Sequence, residues 1–206
     1  MPKVKKGKYQ SKQVYLNAAL SVIREVGIEK LTMRKVANDL DVSPMAIYKH
    51  FENKDELLKA VLDDFISNAN VLPEQDLPWD EWFTHVAKAM YNALQGDTNW
   101  LPLLGSFQIG ENALHITFSF MNKMVEAGFD NGESLDAYLA MIHIVVGAVS
   151  IQSAFDKGGA GVAHGIAEKI SEHAEPLLDA ATKQQIDISL PILVEGLKDK
   201  LAAKQN

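Results

Sequence analysis

A chain of 206 residues, 47% hydrophobic and 23% charged, is long enough to bury a real core in one domain or in two small ones. It holds no cysteine, which excludes a disulfide framework, a thiolate metal site and a cysteine nucleophile. The net charge of −7 argues against a general nucleic-acid binder, but its distribution is uneven. Residues 1–60 carry 12 Lys+Arg against 7 Asp+Glu, and the remainder carries 8 against 20, so a basic head precedes a body that a polyanion repels.

Lys3, Lys5, Lys6, Lys8 and Lys12 precede the first acid, Glu25, and read equally as a solubilising tail or a phosphate-facing arm. No apolar run follows them, so no signal peptide is expected. Ser11 to Val26 is amphipathic, with Tyr15, Ala19, Val22 and Val26 at helical spacing, a stripe widened by Leu16, Leu20 and Ile23, and Gly27 as its stop. Thr32 is an N-cap for a short helix with Val36, Ala37 and Leu40 on one face. Asp41-Val42 supplies a turn, and Asp tolerates the left-handed conformation such a turn needs. Ser43-Pro44 opens a seven-residue helix with a capping hydroxyl and a proline at the first helical position. Ile47 and Phe51 point inward there, leaving Ser43, Met45, Tyr48 and Lys49 outside, a polar, aromatic and basic face suited to a DNA major groove. Asn53 and Glu56 form a capping-box pattern ahead of a helix with Leu57, Leu58, Val61, Leu62, Phe65 and Ile66 inward.

Val71 to Pro78, with two prolines, is the best linker and boundary. Beyond it the pattern predicts only helices. Trp79 to Leu94 ends at Gln95-Gly96-Asp97; a short helix from Trp100 to Ile109 is interrupted by Pro102 and Gly105; Glu111 to Ala127 ends at Gly128. A helix from about Glu133 to Lys157 ends at Gly158-Gly159, residues 158–161 form a loop, Val162 to Ala174 is a weaker helix, and Pro176 to about Ala202 is the last helical region. The run Tyr138 to Phe155 is apolar nearly all round. It includes His143, Gln152 and two serines and is flanked by Asp136 and Asp156, which favours a buried helix over a membrane span. In the last region Ile186, Leu190, Leu193, Leu197 and Leu201 make a stripe that Pro191 interrupts, so the helix kinks there or starts there.

From about Tyr15 to Leu62 the order of residues resembles the tetracycline-repressor (TetR) family of bacterial transcriptional regulators. The core of the match is Leu31-Thr32-x-Arg34-x-Val36-Ala37-x-x-Leu40-x-Val42-Ser43-x-x-x-Ile47-Tyr48-x-His50-Phe51-x-Asn53-Lys54-x-x-Leu57-Leu58, with Asp41 where the family most often places glycine. The resemblance implies an all-α fold: a three-helix helix-turn-helix DNA-binding head over 1–52, a connecting helix over 53–70 and a helical ligand-binding and dimerisation body over 71–206. It implies that Thr32, Tyr48 and Lys54 hold phosphates and that Arg34 reaches a base edge or a phosphate. Ser43, Pro44, Met45 and Lys49 form the groove-facing set; His50 matches a position near the DNA backbone, with a local helix-end contact as an equal reading. It also implies a homodimer through the helices around 133–157 and 183–202, where the residues alone would equally allow monomer core, and hence a palindromic DNA operator.

The body shows no catalytic constellation. His85, His115, His143, His164 and His173 lack metalloprotease spacing, and Ser106 and Ser119 lack a nucleophile-elbow context. Glu111 and His115, four apart, read as a surface pair rather than a metal site. No enzyme, metal or cofactor is therefore expected. The resemblance implies an inducer pocket in the body, lined by Trp82, Met90, Trp100, Phe107, Phe118 and Met121, with Gln108, His115, His143 or Gln152 orienting a mainly apolar small-molecule effector; each aromatic or methionine taken singly reads more readily as ordinary core. The leading expectation is a cytoplasmic, ligand-responsive homodimeric repressor. A ligand-independent architectural DNA-binding protein and a helical small-molecule carrier or enzyme remain open alternatives.

Overall fold

The computed structural model describes residues 11–103, 110–154, 156 and 184–204, without the side chains of 102 and 103. The Lys3 to Lys8 arm, Phe107, Gln108, Phe155 and the predicted elements between 157 and 183 lie outside the described residues. Every regular element among the described residues is helical, as the sequence pattern predicts. The chain divides into two compact units, Met1–Asn68 with Pro102–Leu114, and Ala69–Leu101 with His115–Asn206.

In the first unit α1, Lys12–Val26, buries Tyr15, Leu16, Ala18, Ala19, Val22 and Ile23, and packs against α2 and α4. Gly27 stops it at φ 84, with its N–H donating to the Ile23 carbonyl at 2.8 Å. A 3-10 turn, Ile28–Lys30, leads to α2, Met33–Asp39, capped by the Thr32 hydroxyl accepting from the Lys35 N–H at 3.2 Å. The end of α2 is a Schellman motif: the Val42 N–H donates to Ala37 and the Asp41 N–H to Asn38, which puts Asp41 at φ 53. Glycine is the usual residue for that position, and aspartate fills it here as anticipated.

Helix α3, Pro44–Tyr48, corrects the sequence reading in two respects. It is five residues rather than seven, because the His50 and Phe51 N–H groups both turn onto the Ile47 carbonyl, at 2.8 and 3.0 Å. The Ser43 hydroxyl makes no capping bond; the Ser43 carbonyl accepts the Ala46 N–H at 2.9 Å instead. Helix α4, Lys54–Asn68, is capped by Asn53 Oδ1 accepting the Glu56 N–H, while the Glu56 carboxylate reaches the Glu52 N–H, each at 2.9 Å. That reciprocal bond falls one residue before the position a capping box would use. Ile23, Leu31, Val36, Ala37, Ile47, Phe51, Leu57, Leu58 and Val61 form the core of this unit.

The first unit also takes in residues that no linear boundary at 70 would assign to it. The Asp63 carboxylate on α4 accepts both the backbone N–H and the side-chain amide of Asn112, each at 3.0 Å, and so caps the start of α6, Glu111–Glu126. Gly110 lies so close to that carboxylate that a Cβ there would clash with it.

The second unit is built on α5, Trp79–Gly96, α7, Asn131–Ala154, and α8, Gln185–Ala203; α7 packs against α5 and α8, and α8 against α5. The described part of the helix predicted over Trp100 to Ile109 is a 3-10 stretch, Thr98–Leu103, begun by Asp97 Oδ1 accepting from the Asn99 backbone and side-chain amide at 3.3 and 2.9 Å; residues 104–109 lie outside the described residues. Helix α6 ends in a second Schellman motif, with Gly128 at φ 109 and the Phe129 N–H on the Met124 carbonyl. Helix α8 begins at Gln185 and continues past Pro191, which neither starts nor ends it; Pro191 is exposed. By length and composition α7 could cross a membrane, but a third of that apolar window is buried inside this fold, against α5 and α8.

One electrostatic clamp joins two ends of this unit. Asp130 Oδ1 accepts the Glu133 N–H and Glu133 accepts the Asp130 N–H, each at 2.9 Å, a capping box that starts α7. The same Glu133 carboxylate is hydrogen-bonded by Lys204 and ion-paired by Lys200 at 3.6 Å, both at the end of α8. The Lys204 hydrogen bond, then the Asp130 N–H, hold its pKa down from 4.5 to about 2. A carboxylate depressed in the folded state stabilises above its unfolded pKa and loses that contribution as pH falls through the folded value. Urea midpoints measured from pH 6 downward should therefore decline between about pH 4.5 and 2 more steeply in wild type than in Glu133→Gln; parallel profiles would refute the clamp.

Candidate functional site

Helix α3 divides its residues sharply. Ile47 is fully buried and Phe51, just past the helix end, is 2% exposed, while Met45 is 68% and Tyr48 46% exposed. Ser43, Pro44 and Lys49 are exposed with them, so four side chains and the Pro44 ring form one continuous outer face. The short helix gains its rigidity from below: Ile47 sits in the head core, and the Lys12 ammonium stands 5.3 Å over the Phe51 ring. Met33, Val36 and Ala37 bury α2, leaving Thr32 and Arg34 exposed.

Two expected contact residues have structural partners that the sequence did not show. The Lys54 ammonium donates to the Glu29 carbonyl at 3.3 Å, tying the start of α4 to the 3-10 turn and leaving two of its protons for another acceptor. His50 is half-buried, its ring 4.9 Å from that of Tyr15 on α1 and 6.5 Å from that of Phe51. The Thr32 hydroxyl accepts from Lys35 and keeps its own proton to donate.

The described residues expected to line an effector pocket differ in burial. Trp82 and Trp100 are buried, Met90 and Met121 half-buried, and His115, Phe118 and His143 exposed. The division on α6 follows from helical geometry: Ile116, Phe120 and Met124 recur every four residues and take the core side. Phe118, two residues from Phe120 and so about 200° round the helix, is left 63% exposed. Phe120 instead meets Trp82, Phe83 and Tyr138, at ring separations of 5.8, 5.3 and 5.2 Å.

Sequence reasoning missed Tyr91 altogether. It falls on the inward stripe Phe83, Ala87, Tyr91, Leu94 of α5, where spacing alone reads it as apolar core. It is fully buried, yet its hydroxyl has no hydrogen-bond partner. Burial first, then the charges of Asp156 and Asp187, push its pKa above 10, so it stays a neutral hydroxyl at any physiological pH. The Gln152 carbonyl oxygen is likewise buried without a hydrogen-bond partner.

A groove-sized helix with a buried inner face and a polar-aromatic outer face, set on a three-helix head and followed by a helical body, defines a DNA-binding transcriptional regulator of the helix-turn-helix class. The profile described as bacterial regulatory proteins of the tetR family matches residues 16–61, which span α1 to α4. Over nearly its whole length the chain is similar to the tetracycline repressor protein class A from transposon 1721 of Escherichia coli, 27% identical over 93% of this chain and 92% of that one. It is also similar to BioQ of Mycobacterium smegmatis, at 28% identity, TM-score 0.67, and coverage of 94% and 99%; BioQ has also been solved with its natural double-stranded DNA operator, at 27% identity, TM-score 0.65 and the same coverage. A possible TetR-family regulator of Streptomyces coelicolor shares the fold at TM-score 0.77 with 22% identity, over 92% of this chain and 99% of that one. The chain belongs to the TetR family of transcriptional regulators.

Proposed function

We propose that the protein is a cytoplasmic, ligand-responsive homodimeric repressor that reads a palindromic operator and leaves it when a small-molecule effector binds the body. The observation that carries this reading is the outer face of α3, where Met45 and Tyr48 stand exposed on a helix anchored through Ile47. In it, residues 1–52 are the DNA-binding head, 53–70 the connecting helix and 71–206 the ligand-binding and dimerisation body. Ser43, Pro44, Met45 and Lys49 face the groove, Met45 against a thymine methyl; Thr32, Tyr48 and Lys54 hold phosphates; Arg34 pairs with guanine O6 and N7. The operator in the BioQ complex and the repressor name of the Escherichia coli relative support this assignment.

A homodimer is supported by the apolar side chains that α7 and α8 leave outside: Leu135, Leu139 and Ile151 on one, Ile188 and Ile192 on the other. Between them runs a groove of Ile144, Ser189, Ile192, Leu193, Gly196 and Leu197. Two copies joined there form a four-helix contact and present two reading helices, and a single short helix offers too little contact for specific recognition. The effector acts by binding two states of the dimer unequally, which is all that coupling requires.

Two substitutions test the DNA assignment by fluorescence anisotropy on a panel of operator variants. Arg34→Ala should cost about 1–3 kcal/mol and relax preference at one position in each half-site. Tyr48→Phe removes only a hydroxyl, and should weaken all sequences alike. Uniform losses in both would make Arg34 a phosphate clamp, and unchanged affinity in both would remove this face from the interface.

A further inference from the structure

Resting on the effector reading above, we infer that Tyr91 and Gln152 are the polar anchor of the effector site and that they select a neutral hydroxyl group, an alcohol or a phenol, on an otherwise apolar molecule. The two side chains come from packed helices of one unit, Tyr91 from the buried face of α5 and Gln152 from near the end of α7. Tyr91 is fully buried with its hydroxyl unmatched, and the Gln152 carbonyl oxygen is likewise sealed from solvent without a donor. Desolvating a polar group without replacing its hydrogen bond is costly, so each of these two atoms calls for a partner from outside the chain.

The chemistry of that partner follows from what each group still needs. The Gln152 amide nitrogen donates to Asp156 Oδ1 at 3.1 Å. A carboxylate only accepts, so this bond fixes which way the amide is turned and leaves its oxygen a pure acceptor aimed elsewhere. The Tyr91 hydroxyl can donate or accept, and it lies near enough to Asp156 to feel its charge. Had the two groups been in reach of each other, the hydroxyl would have donated to the amide oxygen; an inserted group that donates to Gln152 and accepts from Tyr91 satisfies both. A hydroxyl does both. An ammonium could donate to both groups but would leave the Tyr91 O–H proton without an acceptor, and a carboxylate cannot donate and would approach Asp156 against its charge. Asp187, the other carboxylate that Tyr91 senses, is already matched by the Lys88 ammonium at 2.7 Å, so it offers no open counter-charge for a cationic guest. The surrounding faces, with Phe83, Ala87 and Leu94 on α5 and Val145, Ala148 and Val149 on α7, are apolar.

Four probes of one shape separate the possibilities: naphthalene, 2-naphthalenemethanol, 2-naphthylmethylamine and 2-naphthoate, titrated into the full-length protein and followed by tryptophan fluorescence. The alcohol should bind wild type about tenfold more tightly than the other three, the amount one well-made hydrogen bond supplies. Tyr91→Phe and Gln152→Met should each reduce the alcohol to the affinity of naphthalene. The ligand-free Tyr91→Phe protein should melt at or above the wild-type temperature, because it loses an unmatched buried hydroxyl. Absence of an alcohol preference, failure of all four probes to bind, or a preference kept in both variants overturns the site. A lower melting temperature for Tyr91→Phe also overturns it, since it would show the hydroxyl already bonded in the free protein. Operator anisotropy in the same samples keeps the two readings apart. Release by any probe without an alcohol preference sinks the anchor and leaves the ligand-responsive repressor standing. An alcohol preference without release supports the anchor and removes the ligand response.

Discussion

Ile192→Glu should convert the protein from dimer to monomer at micromolar concentration and abolish specific operator binding, without loss of helical content. Ile192 is 72% exposed within one chain, so the substitution costs the isolated fold little. In a dimer joined through α7 and α8 the same position lies against apolar surface of the partner copy, beside the groove that runs from Ile144 to Leu197. A carboxylate there must be buried unpaired or must force the helices apart, and either outcome outweighs the roughly 1.5–3 kcal/mol that burying each neighbouring isoleucine or leucine contributes. On the proposed homodimeric reading, operator affinity depends on dimerisation because the second half-site is bound at the high effective concentration set by the first. Losing that linkage should cost on the order of a hundredfold or more. Analytical ultracentrifugation alongside anisotropy checks both halves, and a variant that stays dimeric and binds DNA normally would place the subunit contact elsewhere.

The largest effect on stability should come from Phe120→Ala. Phe120 is fully buried and touches three aromatic rings, those of Trp82, Phe83 and Tyr138. Removing it deletes its transfer free energy and leaves a cavity walled by large flat side chains that cannot close over it. The expected loss is about 3–5 kcal/mol, or on the order of 10 °C in melting temperature for a chain of this size. Phe118→Ala on the same helix is the internal comparison: with 63% of that side chain exposed, its loss should stay within about 0.5 kcal/mol. A larger loss from Phe118→Ala than from Phe120→Ala would mean that α6 faces the other way.

The contrast between these phenylalanines shows where sequence reasoning reaches its limit. Both lie in an aromatic and methionine-rich helix, and composition singled out Phe118, whereas the inward stripe of Ile116, Phe120 and Met124 points to the other. In the head the reading went further, because its signals are local. Thr32 caps α2, Asp41 adopts the left-handed conformation, and Ile47 and Phe51 turn inward while Met45 and Tyr48 stay out, all through geometry spanning about five residues. Local cues also misled where neighbours compete: the Ser43 hydroxyl left its cap to the backbone carbonyl, and α8 starts at Gln185 rather than at Pro191.

By itself, then, the sequence determined the helical class, the near-exact spans of α1, α5 and α6, and the identity of the face that α3 presents, because caps, left-handed stops and the period of 3.6 residues act within a turn or two of the chain. Only the tertiary structure decided what distant residues do together. It brought Glu133 to Lys204 across 71 positions and Asp63 to Asn112 across 49. It also left the Tyr91 hydroxyl sealed without a partner in a stripe that reads as plain core. Burial and hydrogen-bond satisfaction are properties of packed surfaces from several helices, and no periodicity within one helix carries them.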